Sequence, residues 1–115
     1  MKARIYHNPR CSKSRATLAL LEARGIDLEI VEYLRTPPSK ATLIGLLEKL
    51  ELKTRDIVRT SEDAFKSAGL DIGAEDDALL DLICAHPQVL QRPIVEVGAA
   101  ARIGRPPEQV LELFE

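Results

Sequence analysis

Apolar and polar positions change period several times along the chain, and each change predicts an element. Ala3-Arg4-Ile5-Tyr6 alternates with period two, as a short strand does, whereas Ala16 through Ala23 is dominated by strong helix formers and ends near Gly25 as a C-cap. Leu28-Glu29-Ile30-Val31-Glu32-Tyr33 alternates again and is bounded by Thr36-Pro37-Pro38. Two strands separated by a helix form a βαβ crossover, so the second strand is expected parallel to the first. Ser39 is placed to cap a helix in which Leu43, Leu46, Leu47 and Leu50 recur at i, i+3, i+4 and i+7. Leu79, Leu80 and Ile83 mark another helix that stops before Pro87. Pro93-Ile94-Val95-Glu96-Val97 and Ala100-Ala101-Arg102-Ile103 then read as a β-hairpin around Gly98. Pro106-Pro107 opens a last helix through Val110, Leu111 and Phe114, with proline where the missing N–H costs nothing.

The order βαβ, helical segment, ββα describes an α/β, thioredoxin-like arrangement: a mixed, mainly four-stranded sheet flanked by helices. A helical block is inserted at about residues 39–86. With 115 residues and 45% hydrophobic side chains the chain can bury one ordinary core, and we read a single domain over 1–115. Repeats, low-complexity segments and linkers are missing from the pattern. A net charge of −2, with basic residues scattered, argues against a nucleic-acid binder working through bulk electrostatics. The basic start Met1-Lys2-Ala3-Arg4 precedes an apolar stretch too short for a signal peptide, and no segment reaches the length of a membrane span. Cys11 and Cys84 stand 73 positions apart in no zinc-like spacing. That spacing fits a reducing, cytoplasmic setting with neither a structural disulfide nor a metal.

Chemistry concentrates at Tyr6-His7-Asn8-Pro9-Arg10-Cys11-Ser12-Lys13-Ser14-Arg15, the junction between the first strand and the first helix. Unpaired backbone N–H groups and the positive end of the macrodipole at a helix N-terminus favour an anion, so a cysteine there is more easily held as the nucleophilic thiolate. Dithiol oxidoreductases of this architecture carry a second cysteine three positions on; here that position is Ser14. A Cys-x-x-Ser site can form an adduct, but its resolving thiol comes from elsewhere, most simply glutathione. His7, four residues before Cys11, would favour the thiolate if its imidazole were protonated. Arg92 and Arg105 each precede a proline, which biases their backbones toward extended conformations at element boundaries, and Arg59 ends the apolar turn Asp56-Ile57-Val58. Guanidinium forks suit tetrahedral oxyanions when several converge. Taken singly, each is an ordinary surface charge.

Four segments together resemble the ArsC family of glutathione- and glutaredoxin-coupled arsenate reductases: Tyr6 to Arg15, Tyr33-Leu34-Arg35-Thr36-Pro37-Pro38, Gln91-Arg92-Pro93-Ile94-Val95 and Gly104-Arg105-Pro106-Pro107-Glu108. The resemblance runs nearly end to end, with separate motifs in the right order. It implies that Cys11 attacks arsenate, that Arg59, Arg92 and Arg105 bind the oxyanion, and that His7 lowers the thiol pKa. It also implies a thioredoxin-like core with a cis peptide at Pro93. Glutathione would then resolve the arsenic adduct on Cys11, glutaredoxin would regenerate the enzyme, and no metal or organic cofactor would be required.

Between the cysteine and the Ser-Arg pair, well-characterised arsenate reductases carry Gly-Thr where this chain has Ser12-Lys13, which places it closer to a second, less-characterised branch. Lys13 reads as a solvated charge on the first helical turn. Cys84, within Leu79-Leu80-Asp81-Leu82-Ile83-Cys84-Ala85, reads as a buried small hydrophobe. A tyrosine-phosphatase-like reductase would need an arginine six positions after its cysteine, where this chain has Thr17. Two other readings stay open. One is a glutathione-dependent thiol oxidoreductase acting on another oxyanion or a mixed disulfide. The other is a non-catalytic regulator of the Spx type that binds RNA polymerase, although its Cys-x-x-Cys switch is missing here.

Overall fold

The computed structural model describes residues 2–115, so Met1, the first residue of the basic start, lies outside it. The described chain divides into two compact units, residues 2–36 with 92–115, and residues 37–91.

The first unit is built on a four-stranded sheet. Its strands are β1 (Lys2–His7), β2 (Asp27–Glu32), β3 (Ile94–Val97) and β4 (Ala100–Ile103), in the order β2-β1-β3-β4. Helix α1 (Ser12–Ala23) connects β1 to β2, which run parallel as expected, with Lys2 opposite Asp27 and His7 opposite Glu32. Strand β3 is antiparallel to β1, pairing Tyr6 with Ile94, and β4 returns antiparallel to β3. The hairpin turn is at Gly98-Ala99. α1 ends because Gly25, at φ +70°, takes the left-handed conformation that a side chain resists; its N–H bonds Glu22 O at 3.0 Å and that of Ile26 bonds Leu21 O at 3.2 Å.

Alternation along β1 turns Ala3 and Ile5 to one face, where they meet Leu21 of α1, Val95 of β3 and Val110. Leu18, Leu113 and Phe114 pack against this cluster. Leu21, with none of its surface exposed, contributes roughly 1.5–3 kcal/mol by leaving water. On the opposite face Arg4 lies between Glu29 and Glu96, its register partners on β2 and β3, and forms an ion pair with each.

Two details depart from the expected pattern. Strand β2 stops at Glu32, one residue early, because the N–H groups of Arg35 and Thr36 both bond Glu32 O, at 2.9 and 3.0 Å, and turn the chain at Tyr33. The final segment, Pro107–Phe114, winds as a 3-10 helix rather than an α-helix. Val110 of this segment is buried, and Leu113 and Phe114 pack against the same cluster.

The second unit is the helical block, occupying 37–91 where 39–86 was expected. Helix α2 (Lys40–Leu50) starts at Ser39, whose hydroxyl accepts the Thr42 N–H at 3.1 Å, and buries Leu43, Leu46 and Leu50. Its apolar spacing explains that face. A 3-10 turn (Thr54–Ile57), α3 (Asp63–Ser67), α4 (Asp76–Ala85) and a 3-10 turn at Pro87–Val89 complete the unit. Lys40 reaches Asp77 at 3.3 Å and Asp81 at 3.1 Å, one turn apart on α4. Cys84 lies on α4 next to the buried run Leu82-Ile83, half-buried rather than fully enclosed, and both cysteines are free thiols.

Candidate active site

Cys11 is the N-cap residue of α1, with extended backbone at φ −93° and ψ 122°. A tight turn delivers it there: its N–H bonds Asn8 O at 3.0 Å, and its own carbonyl accepts the Arg15 N–H at 3.0 Å, starting the helix. The side chain is half-buried. Burial pushes the thiol pKa up, but the backbone N–H of Ser14, the Arg92 side chain, the Lys13 N–H and the Arg92 charge together outweigh it, so the pKa lies below the ordinary value. The Lys13 side chain is exposed, in keeping with a solvated charge. Its contribution is made by the backbone.

Ser14, entirely buried, joins the two ends of the Cys11 loop: its Oγ accepts the Asn8 N–H at 3.0 Å and lies 2.6 Å from His7 Nδ1. His7 closes β1 at 5% exposure, and burial lowers its pKa against the pull of Glu32, with Arg15 acting in the same direction as burial. The fold therefore favours the neutral imidazole. The ring's Nδ1 meets the hydroxyl of Ser14.

Arg105 follows β4 and reaches back over the site. Its Nη2 lies 3.7 Å from Cys11 Sγ, while its Nε donates to the carbonyl of Arg92 at 2.7 Å. The side chain is thus braced by the residue that also presents its own guanidinium to the thiol. The peptide bonds Arg92-Pro93 and Arg105-Pro106 are both cis. Gly104 holds the two arginine segments together: its N–H bonds Pro93 O at 2.9 Å, and a Cβ there would stand 2.5 Å from Thr17 Oγ1 and 2.8 Å from Pro93 Cγ. The Gly104 backbone lies this close to the Thr17 and Pro93 side chains only because it has no side chain of its own.

The structure therefore brings His7, Cys11, Ser14, Arg92 and Arg105 together in the first unit. Arg59 belongs to the second, where its N–H bonds Val89 O at 2.7 Å, its Nη1 donates to Gln91 Oε1 at 3.0 Å and its Nε pairs with Glu62 at 3.3 Å. The Lys13 and Ser14 N–H groups are the unpaired helix-start donors expected beside Cys11, whereas Asn8, the Arg92 carbonyl and Gly104 escaped the sequence reading. A carbonyl carries no residue signature, and Gly104 before Arg105 reads locally as a turn glycine. Among the described residues no group of three His, Cys, Asp or Glu side chains could hold a metal ion, and no helix is long and apolar enough to cross a membrane.

A half-covered thiol at a helix N-cap, faced by two guanidinium groups, is built to attack an electrophile that carries negative oxygens. Known proteins are similar to this chain over nearly its whole length. The ArsC family model matches residues 6–113. An arsenate reductase of Neisseria meningitidis serogroup A is 49% identical over 109 residues, covering 93% of each chain. The solved arsenate reductase from Vibrio cholerae superposes with a TM-score of 0.93 at 48% identity, covering 97% of each chain. A putative arsenate reductase from Yersinia pestis gives 0.90 at 52% identity, over 96% of this chain and 98% of its own. With these relatives the sheet order and inserted helices are those of a thioredoxin-like fold, and the chain belongs to the ArsC family.

Proposed function

We propose that the protein is an arsenate reductase in which Cys11 is the nucleophile. The observation that carries this reading is the Cys11 thiol, its pKa lowered, lying 3.7 Å from the Arg105 guanidinium and within reach of the Arg92 charge. Relatives at 44–49% identity named arsenate reductase support the choice of substrate. Arg92 and Arg105 neutralise the oxyanion oxygens while the thiolate attacks arsenic, and Arg59 joins them on the strength of the family resemblance. One As–O bond breaks as the S–As bond forms, and the departing oxygen leaves as water after protonation. Ser14 provides no second thiol, so the adduct waits for an external one.

In this reading glutathione attacks the Cys11 adduct to give a mixed species. Two thiols then end as one disulfide while As(V) takes two electrons and leaves as arsenite. Glutaredoxin reduces the glutathione disulfide and returns Cys11 to the thiol. The test is arsenite production from arsenate with glutathione and glutaredoxin, omitting each in turn. Cys11→Ser should abolish turnover and Cys84→Ser should leave it largely intact. Arg92→Ala or Arg105→Ala should lower kcat/KM about 10- to 100-fold, the value of a lost charge-assisted bond. Full activity in Cys11→Ser would refute the mechanism, and turnover independent of glutathione would refute the coupling.

A further inference from the structure

We propose that a cleft beside the Cys11 turn docks the external thiol, a tripeptide with two carboxylates and one ammonium group: glutathione, its glycine carboxylate on Arg10 and its γ-glutamyl amino-acid group on Arg35 and Glu32. The proposal rests on reading Cys11 as a nucleophile whose adduct an external thiol resolves. The cleft has a volume of about 430 Å³ and is lined by residues 7–10, Glu32, Leu34 and Arg35, all in the first unit. A space of that size suits a small ligand.

Both walls are hydrogen-bonded turns. β1 and β2 end side by side, His7 opposite Glu32, so the turns that follow them leave the sheet at the same edge. In the first turn the Cys11 N–H bonds Asn8 O and the Arg10 N–H bonds Asn8 Oδ1, each at 3.0 Å, and Arg15 Nη1 donates to Pro9 O at 3.0 Å. In the second, the Arg35 and Thr36 N–H groups bond Glu32 O at 2.9 and 3.0 Å. Charge sets which end of the ligand goes where. Arg35 Nε lies 3.9 Å from Glu32 Oε1, a cation and anion side by side that match the carboxylate and ammonium of the γ-glutamyl end. Arg10 is exposed and its guanidinium makes no bond among the described residues, which leaves its fork for the second carboxylate. Two guanidiniums and one carboxylate thus meet two carboxylates and one ammonium. Leu34, 40% exposed, offers apolar surface to the ligand's methylenes. Arg10 and Cys11 are consecutive, so a tripeptide of roughly 10 Å when extended, held at Arg10, keeps its thiol within reach of the Cys11 adduct.

The experiment uses the Cys11 pyridyl disulfide, formed with dithiodipyridine in a Cys84→Ser background. Glutathione thiolate attacks the Cys11 sulfur; a new S–S bond forms, the bond to the pyridyl sulfur breaks, and thiopyridone leaves with the electron pair and takes up a proton, so its release reads the rate. Arg10→Gln and Arg35→Gln should each slow release by subsaturating glutathione about 2- to 5-fold, the worth of an exposed ion pair. Mercaptoethanol, which has no carboxylate, should react with all variants alike. Glutathione ethyl ester, its glycine carboxylate blocked, should be slowed further by Arg35→Gln but not by Arg10→Gln. Unaltered glutathione rates in both variants, or equal slowing of glutathione and mercaptoethanol, would overturn the proposal. Selective loss of the glutathione rate, together with no arsenite from arsenate in the wild type, would support the docking site and refute the arsenate reading. Arsenite production with glutathione but no such selectivity would overturn the docking site and leave the arsenate reading standing.

Discussion

The Cys11 sulfur loses hydration by being half-buried and regains more from N–H groups and guanidinium charge than burial takes away. Its reactivity with a neutral alkylating reagent, read in the Cys84→Ser variant, should therefore persist to lower pH than that of a free cysteine in a short peptide. Equal pH midpoints would contradict the site's electrostatics. His7 makes the opposite kind of prediction. Its folded pKa is lowered by burial, so protonation opposes folding. The stability it contributes is fully present above the unfolded value of about 6.5 and is lost as pH falls through the folded one. Urea unfolding at about pH 7 and about pH 5 should show that decline, with a smaller decline in His7→Gln. An equal decline in both proteins would mean that other groups carry it. In sequence, the thiol at its helix junction was the strongest signal of chemistry at this scale, with His7 and the three arginines named beside it. The protonation state of His7 was not legible, because it depends on burial and on Ser14, Glu32 and Arg15, whose distances no spacing reveals.

Elements hold the site through their ends. Gly104 lets the segment after β4 lie against Thr17 and Pro93, so Gly104→Ala should cost about 1–3 kcal/mol from overpacking and displace Arg105 from Cys11. Denaturant unfolding and kcat/KM would both register the change; a fully active, fully stable Gly104→Ala would show that the close approach does not matter. At the other extreme, α2 ends on Glu51 at φ +58°, the one non-glycine residue with positive φ among those described. Glu51→Gly should raise stability by about 0.5–1 kcal/mol by relieving the left-handed strain, and a loss of stability there would refute that account. Element positions were largely readable from period and caps: Ser39 capped α2 and Gly25 closed α1 as expected. Tyr33 and the 3-10 winding of 107–114 were not, since a turn onto Glu32 O and the seating of Val110, Leu113 and Phe114 on the core are set by what each segment packs on.

At the scale of the whole molecule, β1 is one of the two inner strands of the four-stranded sheet, and Ile5 at its middle has no exposed surface. Ile5→Ala should cost about 2–5 kcal/mol in the unfolding free energy; a much smaller loss would mean the sheet can collapse around the cavity. That order, β2-β1-β3-β4, is what brings Arg105 to Cys11 across 94 positions of chain. By itself the sequence determined the elements, the parallel crossover, the thiol at the helix start and the lack of a second thiol in its motif. Each of these depends on residues within a few positions of one another. Only the tertiary structure decided that Arg92 and Arg105 share one sulfur, that the Arg92 carbonyl braces Arg105, and that His7 is buried against Ser14. These depend on strand register and burial, which bring together atoms that are remote in the chain.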